Sequence, residues 1–177
     1  MRVLRRTALL SILAAGEFVL MTAMEFLVFR RMSGGLPSLD TRIAGFTVAD
    51  VTQWLAALGP QGAETVIVWH YMTFDLLFPL LLSMALASVI LWLGNRLPRF
   101  AAYSETSRQT FALAIVAPYA IADYAQNLAV MELLQEPFEV DPGEAGVASA
   151  LVVAKFVFFL LPVLVIALFA LAGQRRA

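Results

Sequence analysis

The sequence has no cysteine and a single histidine, His70. The first absence excludes dithiol redox chemistry, iron–sulfur clusters and thiolate zinc sites. The second excludes a bis-histidine haem within one chain. Charge is also scarce. Only 14% of the 177 residues are Asp, Glu, Lys or Arg and 61% are hydrophobic, whereas soluble domains average about 25% and about 45–50%. The net charge of −1 gives no basic surface for nucleic acid. Neither a cofactor nor a metal is expected from this composition.

What the chain does have is long apolar runs, with a mean hydropathy of +0.82. About 20 apolar residues are needed to cross about 30 Å of hydrocarbon. Four segments reach that length: 7–29, 66–93, 110–134 and 147–171. The expectation is an all-α, single-domain chain (1–177), a four-helix transmembrane bundle. Arg2, Arg5 and Arg6 resemble the basic start of a signal peptide, but the apolar run continues to Phe29, too long for one, so the segment is expected to be retained.

Arginine placement predicts the orientation. Eight basic residues (Arg2, Arg5, Arg6, Arg96, Arg99, Arg108, Arg175 and Arg176) fall on one side of the bundle. Three (Arg30, Arg31 and Arg42) fall on the other, with an acidic third loop containing Glu136, Glu139, Asp141 and Glu144. That bias puts both termini in the cytoplasm, as for a multi-pass protein of a bacterial inner membrane. The Arg30-Arg31 pair alone argues the other way.

The first loop holds a short amphipathic helix over 48–58. Thr47 is placed to cap it with Asp50 three residues on, and Gly59-Pro60 to stop it. Val48, Val51, Leu55 and Leu58 share one face, beside Trp54. This helix is expected to lie on the membrane surface, cap the bundle or simply pack against it. Trp69, Tyr71 and Trp92 read as interfacial anchors. Phe156, Phe158 and Phe159 read as lipid-facing or packing groups, and Met21 and Met24 as packing groups.

Charged groups in the bilayer centre cost about 2.5–3.5 kcal/mol or more, so those retained there face the bundle and take partners. Here they are Glu17, Glu25, Asp75, Asp123 and Lys155, joined by Gln126 and Asn127, with Glu132 and His70 nearer the helix ends. Counting about 1.5 Å per residue from the outer boundaries puts Glu25 about 6 Å deep, Asn127 about 10 Å, Lys155 about 12 Å, Asp75 about 13 Å and Asp123 about 16 Å, with Glu17 deeper. All four helices thus bring a polar group into one half of the membrane. Asp123, Gln126 and Asn127 share a helix face, with Tyr119 on the same stripe. Pro79 removes the hydrogen bond to the Asp75 carbonyl, while Pro118 and Pro162 break the third and fourth helices. Lys155 is expected to pair with Asp75 or Asp123. His70, alone, reads as a hydrogen-bonded residue at the mouth of the site rather than a metal ligand; an oxygen-rich metal site with Asp75, Glu25 and Asp123 is the alternative reading.

Several stretches together resemble a group of small bacterial four-helix membrane proteins of unassigned function. They are Leu36-Pro37-Ser38-Leu39-Asp40, Gly45-Phe46-Thr47, Leu55–Gly59, Phe74-Asp75-Leu76-Leu77-Phe78-Pro79, Asp123-Tyr124-Ala125-Gln126-Asn127 and Lys155. An acid usually precedes the asparagine in that group, where this chain has Gln126. The resemblance implies a fold and a polar site but no activity. Three functions fit the residues. The first is binding of a small molecule or lipid, with or without catalysis, by Asp75, Asp123, Asn127, Lys155 and Gln126, with Glu25 and His70 at the mouth and Glu17 deeper. The second is a structural subunit or assembly factor of a membrane complex. The third is a proton-coupled carrier, which with four helices per chain needs a homo-oligomer. Membrane lipids are the expected surroundings in each case.

Overall fold

The computed structural model describes residues 2–135 and 139–174, with side chains from residue 5 onward. Glu136, Arg175, Arg176 and the Arg2 side chain, used above to orient the chain, lie outside the described residues. Every regular element among the described residues is helical. Helix α1 (Arg2–Met24) continues into a wider π turn, Glu25–Phe29, and a last α turn, Arg30–Met32. Helix α2 (Val48–Val66) passes through a second π segment, Ile67–Phe74, into α3 (Asp75–Gly94). A single turn, Pro98–Ala101, precedes the two long helices α4 (Glu105–Gln135) and α5 (Pro142–Gln174). Pro118 and Pro162 lie inside α4 and α5, which run through them without a break, contrary to the expectation from sequence.

Three helical stretches are long and apolar enough to cross a membrane: Arg5–Met32, Val48–Gly94 and Pro142–Gln174. In the most apolar windows of the first and last, only 17% of residues are buried within the protein. Leu9, Ile12, Phe18, Leu76, Leu80, Ile121, Val157, Leu164 and Leu168 point outward, while acids, an amide pair and a lysine are buried. Exposing that much contiguous apolar surface to water is untenable for a soluble monomer. Hydrocarbon is the solvent that such a surface fits. Helix α4 falls outside this set because Asp123, Gln126 and Asn127, all buried, dilute its hydropathy.

Helices α3, α4 and α5 pack against one another, and α1 lies along α3. Gly59, at φ +63°, bends the chain between the two parts of α2, and Pro60 opens the second part. The helix leading into α3 therefore starts six residues before its apolar boundary at Val66. The first part of α2 carries the expected cap. Thr47 Oγ1 accepts from the Asp50 amide at 3.2 Å, and the Thr47 amide donates to Asp50 Oδ2 at 2.8 Å. Its apolar face turns inward rather than toward a membrane surface. Val51, Trp54, Leu55 and Leu58 are buried with Phe29, Leu39, Val130, Leu133, Leu134, Ala145 and Ala148. Val48 stays exposed. This part of α2 thus caps one end of the bundle. Beside it, Gly45 at φ +84° lies so close to Ser149 that a Cβ would sit 2.6 Å from Oγ, and the Phe46 amide donates to that Oγ at 2.8 Å.

Candidate functional site: a buried cluster of acids, histidine and lysine

The two π segments flank the site. In a π turn the amide bonds to the carbonyl five residues back, and such turns recur at functional positions. The Asp75 amide donates to the His70 carbonyl. This register stacks Asp75 one wide turn beyond His70 and turns Tyr71 inward. Tyr71 is therefore not an interfacial anchor: it is 2% exposed, with its hydroxyl in electrostatic range of Asp40, Asp75, Glu25 and Asp123. Trp69 is half exposed, and Trp92 packs under the Arg96 guanidinium at 3.8 Å.

Pro79 has no amide to offer the Asp75 carbonyl. Asn127 Nδ2 takes its place and donates to that oxygen at 3.2 Å. The Tyr124 hydroxyl donates to the next carbonyl, Leu76, at 2.9 Å. Helix α4 thus repairs the gap that proline opens in α3, which fixes the register between the two helices.

Lys155, on α5, is buried and reaches α4. Its Nζ lies 3.3 Å from Asp123 Oδ1 and donates to Gln126 Oε1 at 2.5 Å. Asp123 is the direct partner. Asp75 lies within electrostatic range of the ammonium but makes no ion pair with it. Gln126, where the resemblance expects an acid, is the second ligand of the ammonium and is fully buried.

His70 is buried, not placed at an open mouth, and its Nε2 lies 2.9 Å from Asp40 Oδ2. Asp40 sits on the Leu39–Thr41 turn of the first loop. Burial raises the Asp40 carboxyl, but the charge and hydrogen bond of His70 outweigh it, with Lys155 and the turn's own amide assisting, and hold it down to about 2. The aromatic rings of Phe29 and Tyr71 meet the imidazole edge-on at 5.5 and 4.7 Å.

Glu25 serves the fold nearby. It accepts from Arg30 Nε at 2.9 Å, from the Ser38 amide at 3.1 Å and from Ser38 Oγ at 2.5 Å. It therefore ties the first loop down beside the site. Glu17 is partly exposed on α1, within electrostatic range of Asp75. Glu132 is exposed. The structure brings together Asp75, Asp123, Gln126, Asn127, Lys155 and His70, and adds Asp40 and Tyr71.

Several atoms of this cluster have no hydrogen-bond partner within the protein: Asp40 Oδ1, His70 Nδ1, the Tyr71 hydroxyl, Asp75 Oδ2, Asp123 Oδ2, Gln126 Nε2 and Asn127 Oδ1. Native interiors leave few such atoms, and each requires a reason. A cleft of about 390 Å³ opens at the surface, lined by Pro37, Arg42, Ile43 and Gly45 among others, on both sides of the turn that carries Asp40.

No protein-family model matches this chain, and neither does any curated protein or solved structure.

Proposed function

We propose that this chain is an integral membrane protein, a four-helix transmembrane bundle, whose buried polar cluster binds a small polar molecule or a lipid headgroup. The observation that carries this reading is the set of unpartnered atoms on Tyr71, Asp75, Asp123, Gln126 and Asn127. A network that served only as glue would gain by satisfying its members, since a half-satisfied buried network costs more than an apolar core. Helix α4 supplies the fourth span in this reading. Its 31 residues extend about 46 Å, and Asp123, Gln126 and Asn127 are buried against its neighbours rather than turned to lipid. The arginine bias supports cytoplasmic termini and a mouth on the opposite side, where the first loop folds over the cluster. The resemblance to small bacterial four-helix membrane proteins supports a bacterial inner membrane.

The ion pair Lys155–Asp123 favours a second reading, a structural subunit of a membrane complex, because a direct, buried pair also locks helix register. A proton-coupled carrier working as an oligomer draws on the same acids, with Glu17 continuing the path. One experiment separates the first reading from the second. Asn127→Ala, Asp123→Asn and Lys155→Met are purified in detergent beside the wild type, and copurifying lipids and small molecules are identified by mass spectrometry. The binding reading expects a molecule enriched on the wild type and lost from a variant that still elutes as a monodisperse peak. Nothing enriched on well-folded wild type, or variants that all fail to assemble, supports the structural reading.

A further inference from the structure

We propose that Asp40, His70 and Asp75 form a binding site for a divalent transition-metal cation such as manganese(II), iron(II) or zinc(II). The inference deepens the binding reading, on which it rests, by naming a metal ion as one occupant of the cluster. The three residues each bring a ligand atom to within 4.8 Å of the others. Two ligands held about 2.0–2.2 Å from a metal lie about 3 Å apart when adjacent in the coordination sphere and about 4.4 Å when opposite. The 2.9 Å between His70 Nε2 and Asp40 Oδ2 already matches an adjacent pair. Asp75, within 4.8 Å of both, closes toward the coordination spacing when a cation binds.

All three side chains are more than nine-tenths buried, at 7, 4 and 2% exposed in sequence order. Asp40 Oδ1 and Asp75 Oδ2 are among the atoms without partners, so each carboxylate has coordination capacity that the protein does not use. The Tyr71 hydroxyl and Asn127 Oδ1 are unpartnered too, and lie on residues that border the same group. A mixed set of one imidazole and two carboxylates suits manganese, iron or zinc better than copper(I), which favours sulfur.

Charge points the same way. Glu25 has its own counter-ion in Arg30. That leaves three acids, Asp40, Asp75 and Asp123, facing two basic groups, Lys155 and His70. A divalent cation that takes the imidazole nitrogen in place of a proton balances all three carboxylates together with the ammonium, with no charge left over in the interior. The surface cleft lies on the first loop, whose 39–41 turn carries Asp40.

The test uses the whole protein in detergent, stripped with EDTA and re-equilibrated with manganese(II), iron(II) or zinc(II), with bound metal measured by inductively coupled plasma mass spectrometry. Cobalt(II) serves as a spectroscopic probe, its visible bands reporting nitrogen and oxygen ligation. Expected are about one cation per chain for the wild type and at least about tenfold weaker binding for His70→Gln and Asp75→Asn. Glu105→Gln, in the first turn of α4 and outside the site, is expected to bind as the wild type does. If the histidine and aspartate variants do not fold, the cobalt spectrum of the wild type decides alone. Wild-type protein that takes up no cation at micromolar metal overturns the proposal, as does undiminished binding by folded His70→Gln. The broader reading fails separately: metal binding without any enriched organic ligand leaves the cation standing by itself, and an enriched ligand without metal leaves the binding reading intact.

Discussion

The two ends of the bundle are built on different principles. At the end capped by α2, the first loop folds back over the helices and supplies partners for charges: Ser38 for Glu25 and Asp40 for His70. A broad apolar core including Trp54, Phe29, Leu39 and Leu133 surrounds that polar layer. Among the described residues, the far end has no such layer. Ala87, Ile90, Ala112 and Val116 form a small apolar cluster, and the rings of Phe100, Phe111 and Phe169 pack together with centroids 5.2–6.3 Å apart. Its polar contacts, such as Arg108 with Asn95, lie at the surface. An apolar cluster asks only that volume be filled, so loss of one group leaves a gap. The capped end asks that each charge find its match, so loss of one group also strands another.

That difference predicts its largest consequence at Lys155. Replacing it with Met strands Asp123, and removing one member of a buried pair costs about 3–5 kcal/mol. Unfolding in detergent with increasing denaturant measures the loss. The double variant Lys155→Met with Asp123→Leu is expected to recover most of it, because the pair as a unit contributes little over well-packed apolar groups. A single variant as stable as the wild type would place the counter-ion of Asp123 elsewhere.

A matched pair of glycines sharpens the contrast next. At the capped end, Gly45→Ala meets Ser149 Oγ, imposes a side chain at φ +84° and disturbs the Phe46 amide bond. Crowding of this kind costs about 1–3 kcal/mol, and the backbone strain adds about 1 more. At the far end, Gly94→Ala meets the Phe100 ring at 2.5 Å. The crowding is similar, but Gly94, the last residue of α3, has no positive φ, so alanine adds no left-handed backbone strain there. The thermal midpoint is expected to fall further for Gly45→Ala than for Gly94→Ala, and equal losses would contradict it.

Most of the cluster is readable in the sequence because a bilayer makes charge expensive. Asp75, Asp123 and Lys155 stand out against apolar helices, and the i, i+3, i+4 spacing of Asp123, Gln126 and Asn127 fixes their shared face. Pro79 four residues after Asp75 announces a free carbonyl, although not that Asn127 fills it. Asp40 is not readable in this way, since an acid in a polar loop carries no energetic signal; its only mark is its place in the Leu36–Asp40 stretch that carries the resemblance. Tyr71 misleads because the aromatic-belt rule reads depth along the helix and not which way a side chain faces, and Tyr71, in the π segment, faces the core. Gly59-Pro60 reads correctly as the end of one helical segment. That a second segment resumes at once and leads straight into the next helix depends on how the bend packs, which composition does not encode.

A smaller effect is expected at Asn127, where replacement by Leu removes the donor to the Asp75 carbonyl. Hydrogen bonds between helices in membranes average about 0.6 kcal/mol and reach about 1.7. The same unfolding assay is expected to fall in that range, well below Lys155→Met. A loss as large as the Lys155 one would mean that the proline repair, not the ion pair, holds the capped end together.

The least effect lies at the start of α2, where the cap is exposed. Thr47→Ala is expected to cost about 1 kcal/mol. Hydrogen bonds from the Thr47 hydroxyl and amide lower the Asp50 carboxyl below its usual range, slight burial opposes them, and Arg42 at 2.9 Å assists. Because the folded state holds this carboxyl below its unfolded value, the carboxylate stabilises the fold at any pH above the ordinary aspartate range. That contribution drains away as pH falls through the lowered value. The gap in thermal midpoint between wild type and Asp50→Asn is therefore expected to be widest near neutral pH and to close as pH falls below the ordinary aspartate range. With 40% of the Asp50 side chain exposed, added salt is expected to narrow the gap at neutral pH by weakening the Arg42 pair. Trp54, Leu55 and Leu58 would hold α2 in place at either pH, so a global collapse on acidification would point instead to the buried acids beneath the cap.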